Sequence, residues 1–158
     1  MEIGTPDLVF ERRGRVAWLT FNRPETRNAM TFAMYDGLAR ACELVEQDPE
    51  IRVMVLTGAG DKAFVAGTDI SQFRTFTDPQ HALDYEARID QVIGRLEALP
   101  RPTIAAIRGY AVGGGASIAL ACDLRICTPD ARFGIPIART LGNCLSMSNY
   151  ARLVDLIG

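Results

Sequence analysis

The sequence is short of the residues that carry most familiar chemistries. Its 158 residues include one histidine, His81, placed in the first turn of a predicted helix on what reads as the solvent side. A Ser–His–Asp triad would need that histidine to reach Ser117, and no surrounding motif supports it. The four cysteines, Cys42, Cys122, Cys127 and Cys144, are scattered and form no Cys-x-x-Cys pair, so no metal site is expected. Cys42, Cys122 and Cys127 sit in apolar stretches and read as small buried hydrophobes of a reducing cytoplasm. The net charge is −2 and no basic patch stands out, which leaves nucleic acid binding without an electrostatic footprint. No apolar run is long enough to span a bilayer. MEIGTPDLVFERRG at the start has no apolar core behind a positive patch, so neither a membrane segment nor a signal peptide is expected.

What is present is a globular composition, 48% hydrophobic and 23% charged, in a length that suits one domain with a core of its own. Asp7 to Arg12 and Arg15 to Phe21 are two short extended runs around a turn at Arg13-Gly14. From Met30 the period changes: Met30, Met34, Leu38, Ala41 and Val45 mark an amphipathic helix. Thr31 can cap it, but the third helical position is Met34, so no reciprocal capping box is expected. Ile51 to Thr57 reads as a strand. Asp78-Pro79 opens a helix with Leu83, Ile89, Val92, Ile93 and Leu96 on its buried face, stopped by Pro100-Arg101-Pro102. Thr103 to Ile107 is a strand, 109 to 115 a glycine-rich turn, SIALA (117–121) a helix and Asp123 to Cys127 a strand. FGIPI (133–137) is extended, and 143 to 157 has helical spacing, with Asn143 as its N-cap. Met30 and Met34 read as packing; Met147 suits core packing better than an acyl channel. No internal sequence repeat is visible, and the alternation of strands and helices gives an α/β fold.

Two stretches expose backbone: FVAGTDI (64–70) and GYAVGGGA (109–116). Glycines followed at once by a helix place unpaired N–H groups and the positive end of the helix dipole at one spot. The phosphate-loop pattern needs Lys and Ser/Thr after the glycines, and Ala116, Ser117 and Ile118 stand there instead. The dinucleotide GxGxxG spacing is missing as well. A pair of amides aimed at a developing oxyanion, one from each stretch, suits the residues better than a generic anion site.

Five pieces in order carry a resemblance: NRPETRNAM (22–30), KAFVAGTDI (62–70), PTIAAIRGYAVGGG (102–115), CDLRI (122–126) and ARFGIP (131–136). Together they resemble the N-terminal part of the enoyl-CoA hydratase/isomerase (crotonase) superfamily. The resemblance implies a ClpP/crotonase-like spiral of ββα units. It implies an acyl-CoA thioester as substrate, with coenzyme A as part of that substrate and no covalently bound cofactor. It puts the oxyanion donors on the N–H groups of Thr68 and Gly114, beside Gly67 and Gly113. It puts adenine contacts around Ala29, Ala66 and Ile70 and the coenzyme phosphates near Arg27. It further implies a homotrimer or a dimer of trimers when the family's full chain is present. Residues 1–158 then read as a crotonase-like core domain without the family's C-terminal helical region.

The resemblance fails at the acid–base pair. Where the hydratases carry two glutamates, this chain has Ser117 and Ile137. A serine without an activating partner is a poor base, and isoleucine does no proton chemistry. The expectation is therefore an isomerase or a lyase rather than a hydratase, or else a non-catalytic domain that binds acyl-CoA or a partner. Polar candidates near the acyl group are Arg139, Cys144 and Asp69. Structural roles compete for each: Arg139 and Cys144 can bind water or support the last helix, and Asp69 can hydrogen-bond its own turn. Asp123 reads as a ligand of backbone amides.

Overall fold

Short β-branched runs broken by glycine and proline make strands here, and the 3.6-residue stripes between them make helices. The computed structural model describes residues 3–137, 139, 142 and 144–158. β1 (Leu8–Arg13) and β2 (Val16–Phe21) pair as the expected antiparallel hairpin, Arg13 opposite Val16. Then follow α1 (Phe32–Gln47), β3 (Val53–Gly58), β4 (Ala63–Ala66), a 3-10 segment (Ile70–Thr75) and α2 (Pro79–Glu97). β5 (Thr103–Ile107), β6 (Tyr110–Val112) and α3 (Gly114–Ala121) come next. β7 (Leu124–Cys127), β8 (Arg132–Gly134) and the last helix, α4 (Met147–Ile157), complete the described elements.

The strands sort into a five-stranded sheet, order β1-β2-β3-β5-β7, and a three-stranded sheet, order β4-β6-β8. Every pairing after the first hairpin is parallel. Each of the pairs β3-β4, β5-β6 and β7-β8 gives one strand to each sheet before the chain enters a helix. The chain therefore climbs by ββα steps, a repeat of geometry without a repeat of sequence. The core joins the larger sheet, α1, the C-terminal half of α2, α3 and the inner face of the smaller sheet. Leu19, Phe21, Met34, Leu38, Leu56 and Phe64 are fully buried, and Phe21 meets Phe64 edge-to-face at 5.4 Å. Each such side chain contributes about 1.5–3 kcal/mol of burial.

Several local expectations change. The cap of α1 is reciprocal after all: Met34 N–H donates to Thr31 Oγ1 at 3.2 Å and Thr31 N–H to Met34 Sδ at 3.5 Å. A thioether, a weak acceptor, takes the place of the usual carboxylate. The 109–115 stretch is not one turn but contains β6. Ile51 is buried yet lies before β3. Leu83, assigned to the buried face of α2, is 59% exposed; Val92, Ile93 and Leu96 are buried. β7 is an edge strand, which leaves Cys127 exposed while Cys42 and Cys122 are buried. Burial pushes both buried thiols up to about 12. Met147 is exposed and packs in no core. α4 is capped by Ser146, whose side chain accepts from Asn149 N–H at 3.4 Å. Asn143, the N-cap expected from the sequence, lies outside the described residues.

Candidate active site

The loop before α1 is pinned by one buried amide. Asn28 donates through Nδ2 to the carbonyls of Ala59 and Ala63, at 3.0 and 2.8 Å, and accepts from Arg23 N–H at 2.9 Å. The following residue but one, Met30, bridges to the turn after β4. Met30 N–H donates to Gly67 O at 2.9 Å, and Asp69 N–H donates to Met30 O at 2.8 Å. The Thr68 N–H between them has no acceptor among the described residues. Gly67 has φ +82°, a conformation that glycine alone adopts readily, and it turns the chain there.

The second turn is built to match. Gly113, at φ 55° and ψ −122°, is the N-cap of α3, and its N–H donates to Gly134 O at 3.0 Å. Gly114 is the first residue of the helix, so its amide has no intrahelical acceptor, and none stands elsewhere among the described residues. Thr68 and Gly114 line the same cavity of about 310 Å³. Tyr85, Glu86, Ile89 and Asp90 of α2 line that cavity as well, as do Ser117 and Ile137.

Three hydroxyls meet beside these amides. Tyr85 Oη donates to Thr68 Oγ1 at 3.1 Å, and Tyr35 Oη shares a hydrogen bond with the same atom at 2.9 Å. Tyr35 is 1% exposed. Burial, more than any neighbour, pushes the phenols of Tyr35 and Tyr85 above the usual range, so both stay protonated at any ordinary pH. A Cβ on Gly114 would come within 2.5 Å of Tyr35 Oη, which shows how closely the hydroxyl cluster stands over the start of α3.

Of the residues singled out in the sequence, Ala66, Gly67, Ile70, Gly113 and Cys144 line this cavity with Thr68 and Gly114. Arg27, Ala29, Asp69 and Arg139 do not. Arg27 lies over the Tyr110 ring at 5.5 Å, and its carbonyl accepts from Ala66 N–H at 3.0 Å. Ala29 O accepts from Arg23 Nη1 at 2.7 Å. The Asp69 carboxylate accepts from the Ser71 hydroxyl at 2.6 Å and pairs with Arg23 at 3.2 Å. The Ser71 hydroxyl first, and Arg23 after it, hold its carboxyl below the usual range. Arg139 is exposed, and its N–H donates to Pro136 O. Asp123 Oδ2 accepts from Thr103 N–H at 2.7 Å, the backbone role read from the sequence. Ser117 Oγ turns back to the Gly113 carbonyl, 3.5 Å away. No cluster of three or more His, Cys, Asp or Glu that could hold a metal occurs among the described residues.

Sequence reasoning missed the α2 wall: Tyr85, Glu86 and Asp90. Its signal was the same-face spacing of 85, 86, 89 and 90, which an apolar-only reading of the helix passes over. Tyr35 was missed for the opposite reason, since an aromatic in a buried helix reads as packing.

Known proteins resemble this chain along most of its length. The enoyl-CoA hydratase/isomerase family profile matches residues 11–158. A short-chain-enoyl-CoA hydratase of Clostridium acetobutylicum is 38% identical over 96% of this chain. A crotonyl-CoA hydratase of Syntrophomonas wolfei is 35% identical over the same share. The chain spans 58% of the length of each of these two. An enoyl-CoA hydratase/carnithine racemase structure from Magnetospirillum magneticum superposes with a TM-score of 0.91 at 35% identity, over 98% of this chain and 58% of that one. The fold is the crotonase-like α/β fold, and the chain belongs to the enoyl-CoA hydratase/isomerase family.

Proposed function

We propose that this chain carries an acyl-CoA site in which the N–H groups of Thr68 and Gly114 stabilise a thioester enolate. The observation that supports the reading is that Thr68 and Gly114, one from each glycine turn, line one cavity and their amides have no acceptor among the described residues. Removing a proton next to a thioester puts charge on its oxygen, and amides already in place receive it without reorganising. Isomerase or lyase chemistry suits the site better than two-glutamate hydration, because Ser117 and Ile137 line the cavity where the resemblance expects carboxylates. Arg27, Ala29, Ala66 and Ile70 would take the coenzyme moiety. A homotrimer or dimer of trimers when the family's full chain is present, in the cytoplasm, completes the reading. The test is titration calorimetry of the full-length protein with an acyl-CoA, together with a hydration assay on crotonyl-CoA. Micromolar binding with negligible hydration is expected; absence of binding overturns the reading, and fast hydration overturns its choice of reaction.

A non-catalytic domain that binds acyl-CoA or a partner is the second reading, and the same two side chains favour it. Binding with no proton exchange on any acyl-CoA, by the wild-type protein, would select it.

A further inference from the structure

The cavity that holds the Thr68 and Gly114 amides has lost both carboxylates the resemblance expects, yet it is not without carboxylates. Two reach it from α2, Glu86 and Asp90, one helical turn apart. Their situations differ. Asp90 Oδ1 accepts from the hydroxyls of Ser146 and Ser148, at 3.3 and 3.1 Å, and so ties the start of α4 to α2. Glu86 has no hydrogen bond or ion pair among the described residues. The residue before it, Tyr85, is hydrogen-bonded to the Thr68 side chain, which locks this turn of α2 against the turn that presents the Thr68 amide. Glu86 thus lines the same cavity as Thr68 and Gly114, is exposed to solvent, and has a carboxylate with no partner among the described residues.

We propose that Glu86 is the catalytic acid–base residue of this site, acting on the carbon next to the thioester. The inference rests on the acyl-CoA reading above. In the step, the Glu86 carboxylate takes a proton from the α-carbon of the acyl group. The electron pair of that C–H bond moves into the carbon–carbon bond of the enolate, and the charge settles on the thioester oxygen between the two amides. Glu86, now a carboxylic acid, returns a proton to the same or a conjugated carbon and regains its charge. No oxidant, metal or further reactant is consumed. The proton carrier has moved from the two positions occupied by Ser117 and Ile137 to the facing helix.

The test is exchange of the α-hydrogens of butanoyl-CoA in deuterated water by the full-length protein, followed by mass spectrometry, with binding measured separately by calorimetry. The wild type is expected to exchange. Glu86→Gln should slow exchange by about 10²–10³-fold with the dissociation constant and melting midpoint unchanged. Glu86→Asp should recover part of the loss, and the acid limb of the wild-type pH–rate profile should vanish in Glu86→Gln. Asp84→Asn, a carboxylate on α2 outside this cavity, should exchange as the wild type does. A loss of less than tenfold in Glu86→Gln overturns the proposal, as does a wild type that binds without exchanging. A wild type that does not bind overturns the acyl-CoA reading itself, and this assignment with it.

Discussion

The two walls of the cavity are made by different means. One wall is backbone: the turns at Gly67-Thr68 and Gly113-Gly114, each fixed by hydrogen bonds from neighbouring strands and loops. The other is side chain: Tyr85, Glu86, Ile89 and Asp90 on one face of α2. Backbone geometry admits few residue types, since a positive φ or a close approach excludes almost everything but glycine. Side chains on a half-exposed helix face can change identity while the fold stays. One wall is therefore suited to a function common to a family, and the other to what is particular to this chain. The hydroxyls of Tyr35, Thr68 and Tyr85 join the two.

The largest expected effect comes from removing a backbone donor. Gly114→Pro deletes the N–H at the first helical position, where proline is otherwise tolerated. Its ring would crowd Tyr35 Oη, 2.5 Å from the Cβ position, so the change belongs in a Tyr35→Phe background. Tyr35→Phe with Gly114→Ala has the same Cβ and keeps the amide. Exchange or turnover of an acyl-CoA should fall by about 10²–10³-fold in the proline variant relative to the alanine one. Equal rates at equal folding, read by circular dichroism, would remove the backbone wall from the chemistry.

How much of this could be read in the sequence follows the same division. The glycine turns, the Asp78 cap, the hairpin and the resemblance were legible because each rests on a residue type that the backbone demands. The helix opened by Asp78 was legible as a helix, but its face was misjudged at Leu83. The apolar pattern there counted a leucine as buried, although the inward stripe runs through Ile89, Val92, Ile93 and Leu96. Glu86 and Asp90 were not singled out, because an apolar-only reading of the helix passes over them and nothing in a single sequence says that another element faces them. The thioether half of the α1 cap was illegible for a chemical reason: sulfur is too weak an acceptor to be expected there.

Next in size is a test of why the second turn needs its last glycine. A Cβ on Gly115 would run into the Val65 carbonyl of β4, so this position is set by packing between α3 and the smaller sheet. Gly115→Ala should cost about 3 kcal/mol and lower the melting midpoint by about 6–12 °C. A midpoint unchanged within 2 °C, on the order of the shift for 1 kcal/mol, would mean that the turn can relax. That would weaken the contrast between a fixed wall and a variable one.

The link between the walls should matter less. Tyr35→Phe removes one hydrogen bond to Thr68 Oγ1 and leaves the one from Tyr85. A single neutral hydrogen bond is worth about 1 kcal/mol, so denaturant unfolding should move by that order with little change in acyl-CoA affinity. A loss several times larger would show that the three hydroxyls act as one unit, which the Tyr35→Phe, Tyr85→Phe double-mutant cycle would then measure.

The smallest effect concerns Asp69, which stands next to the proposed Thr68 donor and is the carboxylate most easily mistaken for the base. Its oxygens are taken by Ser71 and Arg23, and Arg23 also holds the Ala29 carbonyl, so the carboxylate braces the backbone wall from behind. Its pKa is depressed in the folded protein, chiefly by the Ser71 hydroxyl. The folded state then binds fewer protons here than the unfolded chain does as the carboxyl titrates. Its contribution is present above the ordinary carboxyl pKa of about 3.9 and is lost as pH falls through the lower folded value. Asp69→Asn should reduce stability at pH 7 by less than about 1 kcal/mol. The gap from wild type should close as the pH is lowered below about 4. Exchange of α-hydrogens at pH 7 should stay within threefold of wild type, on the order of the change a lost surface ion pair allows. If exchange collapsed while the unfolding curves stayed the same, Asp69 and not Glu86 would be carrying the proton, and the working carboxylate would belong to the backbone wall.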